Sequence, residues 1–395
     1  MQWFDSILDE ELADLAEAGR LRQRQLVRQI DATHVQIDDR VLINFCSNDY
    51  LALTHHPRVL AALHGATEAG AGSAGLISGF TPHHAAAEAA IAKWKGVASA
   101  ILLPSGYQTN HAAIQTLAAL RGTSGVRFLI DKLAHASLID AIRASGMPWR
   151  TFGHNAMPRL ARLLSEAKPE QLQVVVSESI FSMDGDAADL NGFAELKKKH
   201  QFVLLLDEAH ATGVYGDGGA GLAVERHLQN IVDVSIVTLS KSIGCIGGAI
   251  CGSEKFCQAV LNFGRAYMFS TSPPPAIADA IVAAIAVMRD EPQRQQRVRE
   301  LARRLRKQLI DGGLTPSAGD SPIIPLIVGG EKAALQLAGE LGEAGFLVQA
   351  IRPPTVRAGA SRLRVTLCCE HREDDVDRLS VALIQSSIRR AGAAE

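Results

Sequence analysis

The 395-residue chain contains no apolar run of the roughly 18 residues that a bilayer-spanning helix needs, so no membrane span is expected. It also has almost no net charge. The formal value is -2 and the isoelectric point is near 6.7, which leaves no electrostatic footprint for nucleic acid or an anionic membrane. Its six cysteines, Cys46, Cys245, Cys251, Cys257, Cys368 and Cys369, lack any disulfide or zinc spacing and read as reduced thiols. The stretch from Met1 to Arg28 mixes acids and bases with leucines and lacks the apolar centre of a signal peptide, so a cytoplasmic protein is expected. The pairs His55-His56 and His83-His84 are adjacent residues whose side chains diverge on a regular backbone, so no metal site is expected. A phosphate-loop lysine is missing too, because Lys241 follows Ser240 and not a glycine. Repeats, low-complexity tracts and flexible linkers are likewise absent.

What is present describes a globular enzyme-sized chain. Hydrophobic residues make up 47% and charged residues 21%, and the length exceeds what one core usually fills. Helical spacing runs through Trp3 to Val27, and two short strands near Val35–Ile37 and Val41–Phe45 meet at the turn-forming Asp38-Asp39. From Ala98 to Gly252, short apolar runs alternate with helix-period stretches, the pattern of an α/β domain whose mainly parallel sheet is buried on both faces. After Pro273-Pro274-Pro275 the spacing predicts one long helix, Ala276 to Leu309, then a smaller α+β domain with strands near Ile323–Val328 and Leu363–Leu367. The expected partition is an N-terminal helix and hairpin over 1–47, a large domain over 48–285 and a small C-terminal domain over 286–395.

Gly70-Ala71-Gly72-Ser73-Ala74-Gly75 fits the dinucleotide-binding pattern, but a helix-like stretch precedes it where a strand is required. A different constellation carries chemistry. The apolar run Phe202 to Leu206 ends in Asp207-Glu208-Ala209-His210, and a buried strand ends in acids only where it opens onto a site. Further on, Val237 to Leu239 ends in Ser240-Lys241, followed by Gly244, Gly247 and Gly248. A carboxylate and a lone lysine at neighbouring strand ends suit pyridoxal 5′-phosphate (PLP), whose aldehyde bonds an amine and whose pyridine nitrogen needs an anion. A structural ion pair suits them as well. Leu103-Pro104-Ser105-Gly106-Tyr107 leads from a strand into a helix whose free N–H groups fit a phosphate. His135 ends another strand with a flat ring, and the loop from Glu178 to Asp186 offers hydrogen-bonding groups.

Together these segments resemble the α-oxoamine synthase family of fold-type I PLP enzymes, from about Phe45 to Leu367. Its marks are Ser47-Asn48-Asp49-Tyr50-Leu51, Gly106-Tyr107-Gln108-Thr109-Asn110, His135-Ala136-Ser137-Leu138, Phe181 to Asp186, Asp207 to Gly213 and Thr238 to Lys241. The resemblance implies that Lys241 bonds the cofactor, that Asp207 pairs with its ring nitrogen and that His135 stacks on the ring. By the same matching, His210 and Ser182 contact the ring oxygen, while Gly106, Tyr107 and Thr238 hold the phosphate. Ser270 and Thr271 would reach the phosphate of a partner subunit, which implies a homodimer. Asn48 and Arg364 would bind the amino-acid carboxylate, with His135 beside the substrate; Arg22, Arg352 and Thr355 would serve the acyl substrate. The run Ile351-Arg352-Pro353-Pro354-Thr355 points to condensation of L-alanine with a pimeloyl thioester of coenzyme A or an acyl carrier protein, as in biotin synthesis. Glycine or serine with another acyl group is the alternative, and transamination on the same fold a further one. Two departures, Ala74 in place of a frequent glycine and Ser242-Ile243 after the lysine, bear on pocket shape.

Overall fold

The computed structural model describes residues 2–120, 125–168 and 170–393. Two compact units emerge. One comprises Asp49–Ser182 and Asp186–Gln296; the other comprises the residues up to Asn48, Met183–Gly185 and those from Arg297 onward.

The first unit is built on a seven-stranded sheet in the order Ser99–Leu103, Gly248–Gly252, Val234–Thr238, Val203–Asp207, Leu172–Glu178, Val126–Asp131, Trp149–Phe152. Gly248–Gly252 runs antiparallel to both neighbours, and every other pairing is parallel. Continuous apolar strands demand cover on both faces. Accordingly Val174, Val176, Leu204, Leu205, Ile236 and Ile250 are fully buried. Register puts Glu178 beside Asp207 and Asp207 beside Ile236, so the acids of neighbouring strands end level. Trp149–Phe152 is the strand that the alternation of apolar runs does not mark. That strand lies at the sheet edge with its two middle residues exposed, so it carries no buried apolar run.

Two helical expectations need correction. The long helix is two helices, Pro275–Asp290 and Gln293–Asp311. Pro292 separates them, since it has no amide hydrogen and crowds the preceding turn. The N-terminal helix spans Gln2–Glu17 and stops well short of Val27, where Gly19 turns the chain at a φ of 67°.

In the second unit, Arg28–Gln29, His34–Ile37, Arg40–Asn44 and Phe346–Leu347 form a four-stranded sheet. Asp38, at a φ of 52°, makes the tight turn that the Asp38-Asp39 pair promised. Phe346–Leu347 pairs in parallel with Arg40–Asn44, joining the N-terminal hairpin to the C-terminal segment. A three-stranded antiparallel sheet of Ile323–Gly329, Ser361–Thr366 and Gln349–Ile351 lies in the same unit as the helices Glu331–Glu343 and Glu373–Ala393. No helix among the described residues is long and apolar enough to cross a membrane.

Candidate active site

Level strand ends in the first unit gather most of the residues singled out in the sequence. Asp207 closes its strand almost fully buried, with Oδ1 accepting the Ala209 amide at 2.9 Å and Oδ2 accepting Asn110 Nδ2 at 2.9 Å. Asn110 Nδ2 also donates to Ser137 Oγ at 2.8 Å, and that hydroxyl lies 2.7 Å from His135 Nδ1. His135 caps the helix Ala136–Ser145, which fixes its ring at the strand-to-helix turn. Lys241 Nζ is 3.0 Å from His210 Nε2, and the other nitrogen of that imidazole, Nδ1, is 2.7 Å from the Tyr50 hydroxyl. Tyr50 had no role in the sequence reading. In a sequence, a tyrosine between Asp49 and Leu51 looks like core, and only the geometry ties it to the lysine.

The electrostatics tie the acid and the amine to one locality. Burial pushes the His135 imidazole down, the Asp207 carboxylate pulls it up and the Lys241 charge pushes it down again. Burial also pushes the Glu178 carboxyl up to about 8, reinforced by Asp207 and opposed by Lys241. Two side chains, one capping the helix Ala136–Ser145 and one ending the strand Leu172–Glu178, thus sense both Asp207 and Lys241. Glu178 Oε2 accepts the Ser182 amide at 3.3 Å, which holds Ser182 in the same locality.

The remaining residues of this unit form a cradle at the start of the helix Gly106–Ala119. Ser105 caps it by accepting the Gln108 amide, leaving Gly106 and Tyr107 at its positive end. Backbone approach is close here. A Cβ on Gly106 would lie 2.5 Å from Thr238 Oγ1, and one on Gly248 would lie 2.4 Å from Thr109 Oγ1. Ser270 Oγ accepts Gln108 Nε2 of its own chain at 2.9 Å, and Thr271 forms a bridge with Ala74. Tyr107 is half exposed, its hydroxyl 3.1 Å from Asp140.

These groups fit PLP. One lysine amine, one buried carboxylate and a helix N-terminus lined by glycine and threonine match the aldehyde, the ring nitrogen and the phosphate in chemistry. Among the described residues, the buried Asn110 Oδ1 and Glu178 Oε1 also lack hydrogen-bond partners, as polar atoms beside a ligand site do.

A further cluster went unnoticed in the sequence. His154 lies between two carboxylates, with Nδ1 3.3 Å from Asp131 and Nε2 2.7 Å from Asp186, its edge against the Phe181 ring. Neighbouring Asn155 donates to Ala187 O and accepts the Asp189 amide, both at 3.0 Å. The His154-Asn155 pair thereby ties down the segment Asp186–Asp189. Burial alone would depress the imidazole, but the bonds and charges of Asp131 and Asp186 outweigh it and lift it to about 10. A raised histidine stabilises the fold fully below its ordinary value of 6.5, and that stabilisation fades as the pH climbs through about 10. The melting temperature should therefore fall by a few degrees more in wild type than in His154→Gln between pH 6.5 and 10, since about 1 kcal/mol moves Tm by about 2–4 °C at this size. Parallel Tm-against-pH curves would refute the clamp.

In the second unit, Arg364 Nη1 and Nη2 both donate to Asn48 Oδ1 at 3.2 Å. Arg362, two positions earlier on the strand, pairs with Asp184 at 2.6 Å. Arg352 is almost buried, donates to Gly19 O and leaves its Nε without a partner among the described residues. Burial, with the nearby Arg22 charge, pushes its guanidinium down. Arg22 Nη2 donates to Pro353 O at 3.1 Å, and the Thr355 amide donates to Arg352 O, so these three predicted residues gather around one turn. Among the described residues, no cluster of metal-ligating side chains occurs.

The profile of the aminotransferase class I and II family matches residues 40–383. A serine palmitoyltransferase from Sphingomonas wittichii is 29% identical, with 99% of this chain and 98% of that one covered at a TM-score of 0.90. A serine palmitoyltransferase from S. paucimobilis, solved with a PLP–myriocin aldimine, is 26% identical over 99% of both chains, again with a TM-score of 0.90. An 8-amino-7-oxononanoate synthase from Francisella tularensis is 22% identical, over 89% of this chain and 98% of that one, at a TM-score of 0.75; this likeness is one of fold. The chain belongs to the aminotransferase class I and II family, has the fold-type I architecture and uses pyridoxal 5′-phosphate as its cofactor.

Proposed function

We propose that the chain is an α-oxoamine synthase that joins L-serine to a long-chain acyl thioester, releasing the carrier thiol and carbon dioxide. The observation that carries this reading is the end-to-end likeness to serine palmitoyltransferases at a TM-score of 0.90. We prefer it to L-alanine and a pimeloyl thioester because the likeness to 8-amino-7-oxononanoate synthase is weaker in identity, in TM-score and in the share of this chain covered. One observation keeps the pimeloyl reading as a second choice. Arg352, with its unpartnered Nε beside the Arg22 charge, suits the free carboxylate of a dicarboxylic acyl chain better than an alkyl end.

PLP, when bound, supplies an aldehyde for the amine and a ring that accepts the electron pair of a bond broken at Cα. Lys241 would hold the cofactor through its amine, and its Nζ would be the base for the Cα proton. Asp207 keeps a proton on the ring nitrogen by placing a fixed negative charge there. Gly106, Tyr107 and Thr238 would hold the cofactor's phosphate, and the flat ring of His135 would serve the pyridine ring. Arg364, steadied by Asn48, grips the substrate carboxylate and sets which Cα bond stands ready to break. Ser270 and Thr271 are assigned to the phosphate of a partner subunit, in a homodimer.

Thiol release tests the assignment. Serine, alanine and glycine crossed with palmitoyl, pimeloyl and acetyl thioesters should give kcat/KM at least about tenfold higher for serine with palmitoyl, since a buried chain of that length adds about 0.8 kcal/mol per CH₂. A best rate with alanine and pimeloyl would overturn the serine reading. Transamination without thiol release would overturn the condensation itself.

A further inference from the structure

The geometry points to Tyr50 as a positioning residue that aims His210 at Lys241, so that His210 takes the proton of the lysine ammonium and frees the amine for the cofactor. The inference rests on the reading of Lys241 as the cofactor lysine. Three side chains from separate parts of the first unit stand in line: Tyr50 ahead of the turn Leu53–His55, His210 after the strand Val203–Asp207, and Lys241 after the strand Val234–Thr238. The distances are 2.7 Å from the phenol oxygen to Nδ1 and 3.0 Å from Nε2 to Nζ. Tyr50 is fully buried and His210 nearly so, so the arrangement is held by packing.

The donor inventory fixes its direction. An ammonium has three hydrogens and no acceptor, so His210 Nε2 must accept from Lys241. A neutral imidazole that accepts at Nε2 carries its proton on Nδ1, and that proton is donated to the Tyr50 oxygen. Transfer is then a single balanced step. One N–H bond of the ammonium breaks, an N–H bond forms on Nε2, and the product is a neutral amine beside an imidazolium. The second imidazolium proton stays on Nδ1 in the bond to Tyr50, which stabilises the new charge. A base oriented by a third group is the logic by which hydrolytic triads activate a nucleophile. Here the nucleophile is an amine and the orienting group a phenol.

Full-length protein stripped of PLP and mixed with fresh cofactor provides the test, read as the rate at which the visible band of the bound cofactor appears. Tyr50→Phe keeps the ring and removes only the hydroxyl; it should slow that rate by at least about tenfold, a modest share of what general acid–base groups contribute. His210→Gln should slow it as much or more, and the double variant no further than His210→Gln. A wild-type rate in Tyr50→Phe, with the band still abolished in Lys241→Ala, overturns the role of Tyr50 and leaves the lysine assignment standing. A band that persists in Lys241→Ala overturns the lysine assignment instead. Independently of any variant, ¹⁵N NMR of the cofactor-free wild type should find His210 protonated on Nδ1 and not on Nε2; the opposite tautomer overturns the proposed direction of the bonds.

Discussion

Lys241→Ala protein is expected to show no visible band of covalently held cofactor and to lose turnover by at least about 10³-fold. General acid–base groups contribute about 10²–10⁴-fold each, and this lysine is assigned both the bond to the cofactor and the proton transfer at Cα. No neighbour is equivalent. In the sequence, no other lysine lies between Lys199 and Lys255. Lys95, the buried lysine of the same unit, is bonded to Glu208 at 2.5 Å and cannot leave it without stranding a buried carboxylate. His210, left at the site, offers an imidazole that does not form the same bond. The substitution itself removes a partly buried side chain from a turn, so the fold should persist. Absorbance after dialysis against PLP, together with thiol release, measures both effects. An unchanged visible band, or turnover within a few-fold of wild type, would place the cofactor lysine elsewhere.

Why the acid and the amine were legible in the sequence, while Tyr50 and the His154 cluster were not, has a physical basis. An apolar strand buried on both faces leaves a continuous run, and a charge at its end stands out, as at Asp207 and Lys241. Helix boundaries depended on single residues: Pro292 split what periodicity alone had joined, and Gly19 ended a helix whose leucine spacing continued past it. The edge strand Trp149–Phe152 left no mark because half of it faces water. Tyr50 and the Asp131–His154–Asp186 cluster were hidden for another reason. Their partners come from distant positions, 160 residues apart for Tyr50 and His210, and no local spacing encodes that meeting. The unusual backbone of Asn155, with a φ of 51°, is the local trace of the His154 clamp, and a sequence does not display it.

Asp207→Asn is expected to retain PLP and to lower kcat by about 10²–10³-fold, the range found when one preorganised electrostatic contact is removed from a transition state. Retention follows from the other contacts assigned to the cofactor, namely Lys241, the helix end at Gly106 and the ring of His135. The loss has two parts. Asparagine matches aspartate in shape, but Asp207 accepts on both oxygens, from Ala209 N and from Asn110 Nδ2. An amide has only one accepting oxygen, so its NH₂ must face one of those donors. The larger part is the missing charge, which leaves the ring nitrogen without the anion that keeps it protonated. Glu178, level with Asp207 on the adjacent strand, then becomes decisive. Burial and the Asp207 charge together hold its carboxyl up to about 8, so wild type does not place two anions side by side at neutral pH. With the Asp207 charge gone, one of the two causes of that rise disappears, and Glu178 ionises at lower pH than in wild type. The residual activity of Asp207→Asn should therefore rise with pH across the neutral range, and adding Glu178→Gln should abolish that rise. Cofactor content by absorbance and kcat against pH for both variants decide the matter: a kcat for Asp207→Asn within about threefold of wild type would refute the assigned role of the Asp207 charge.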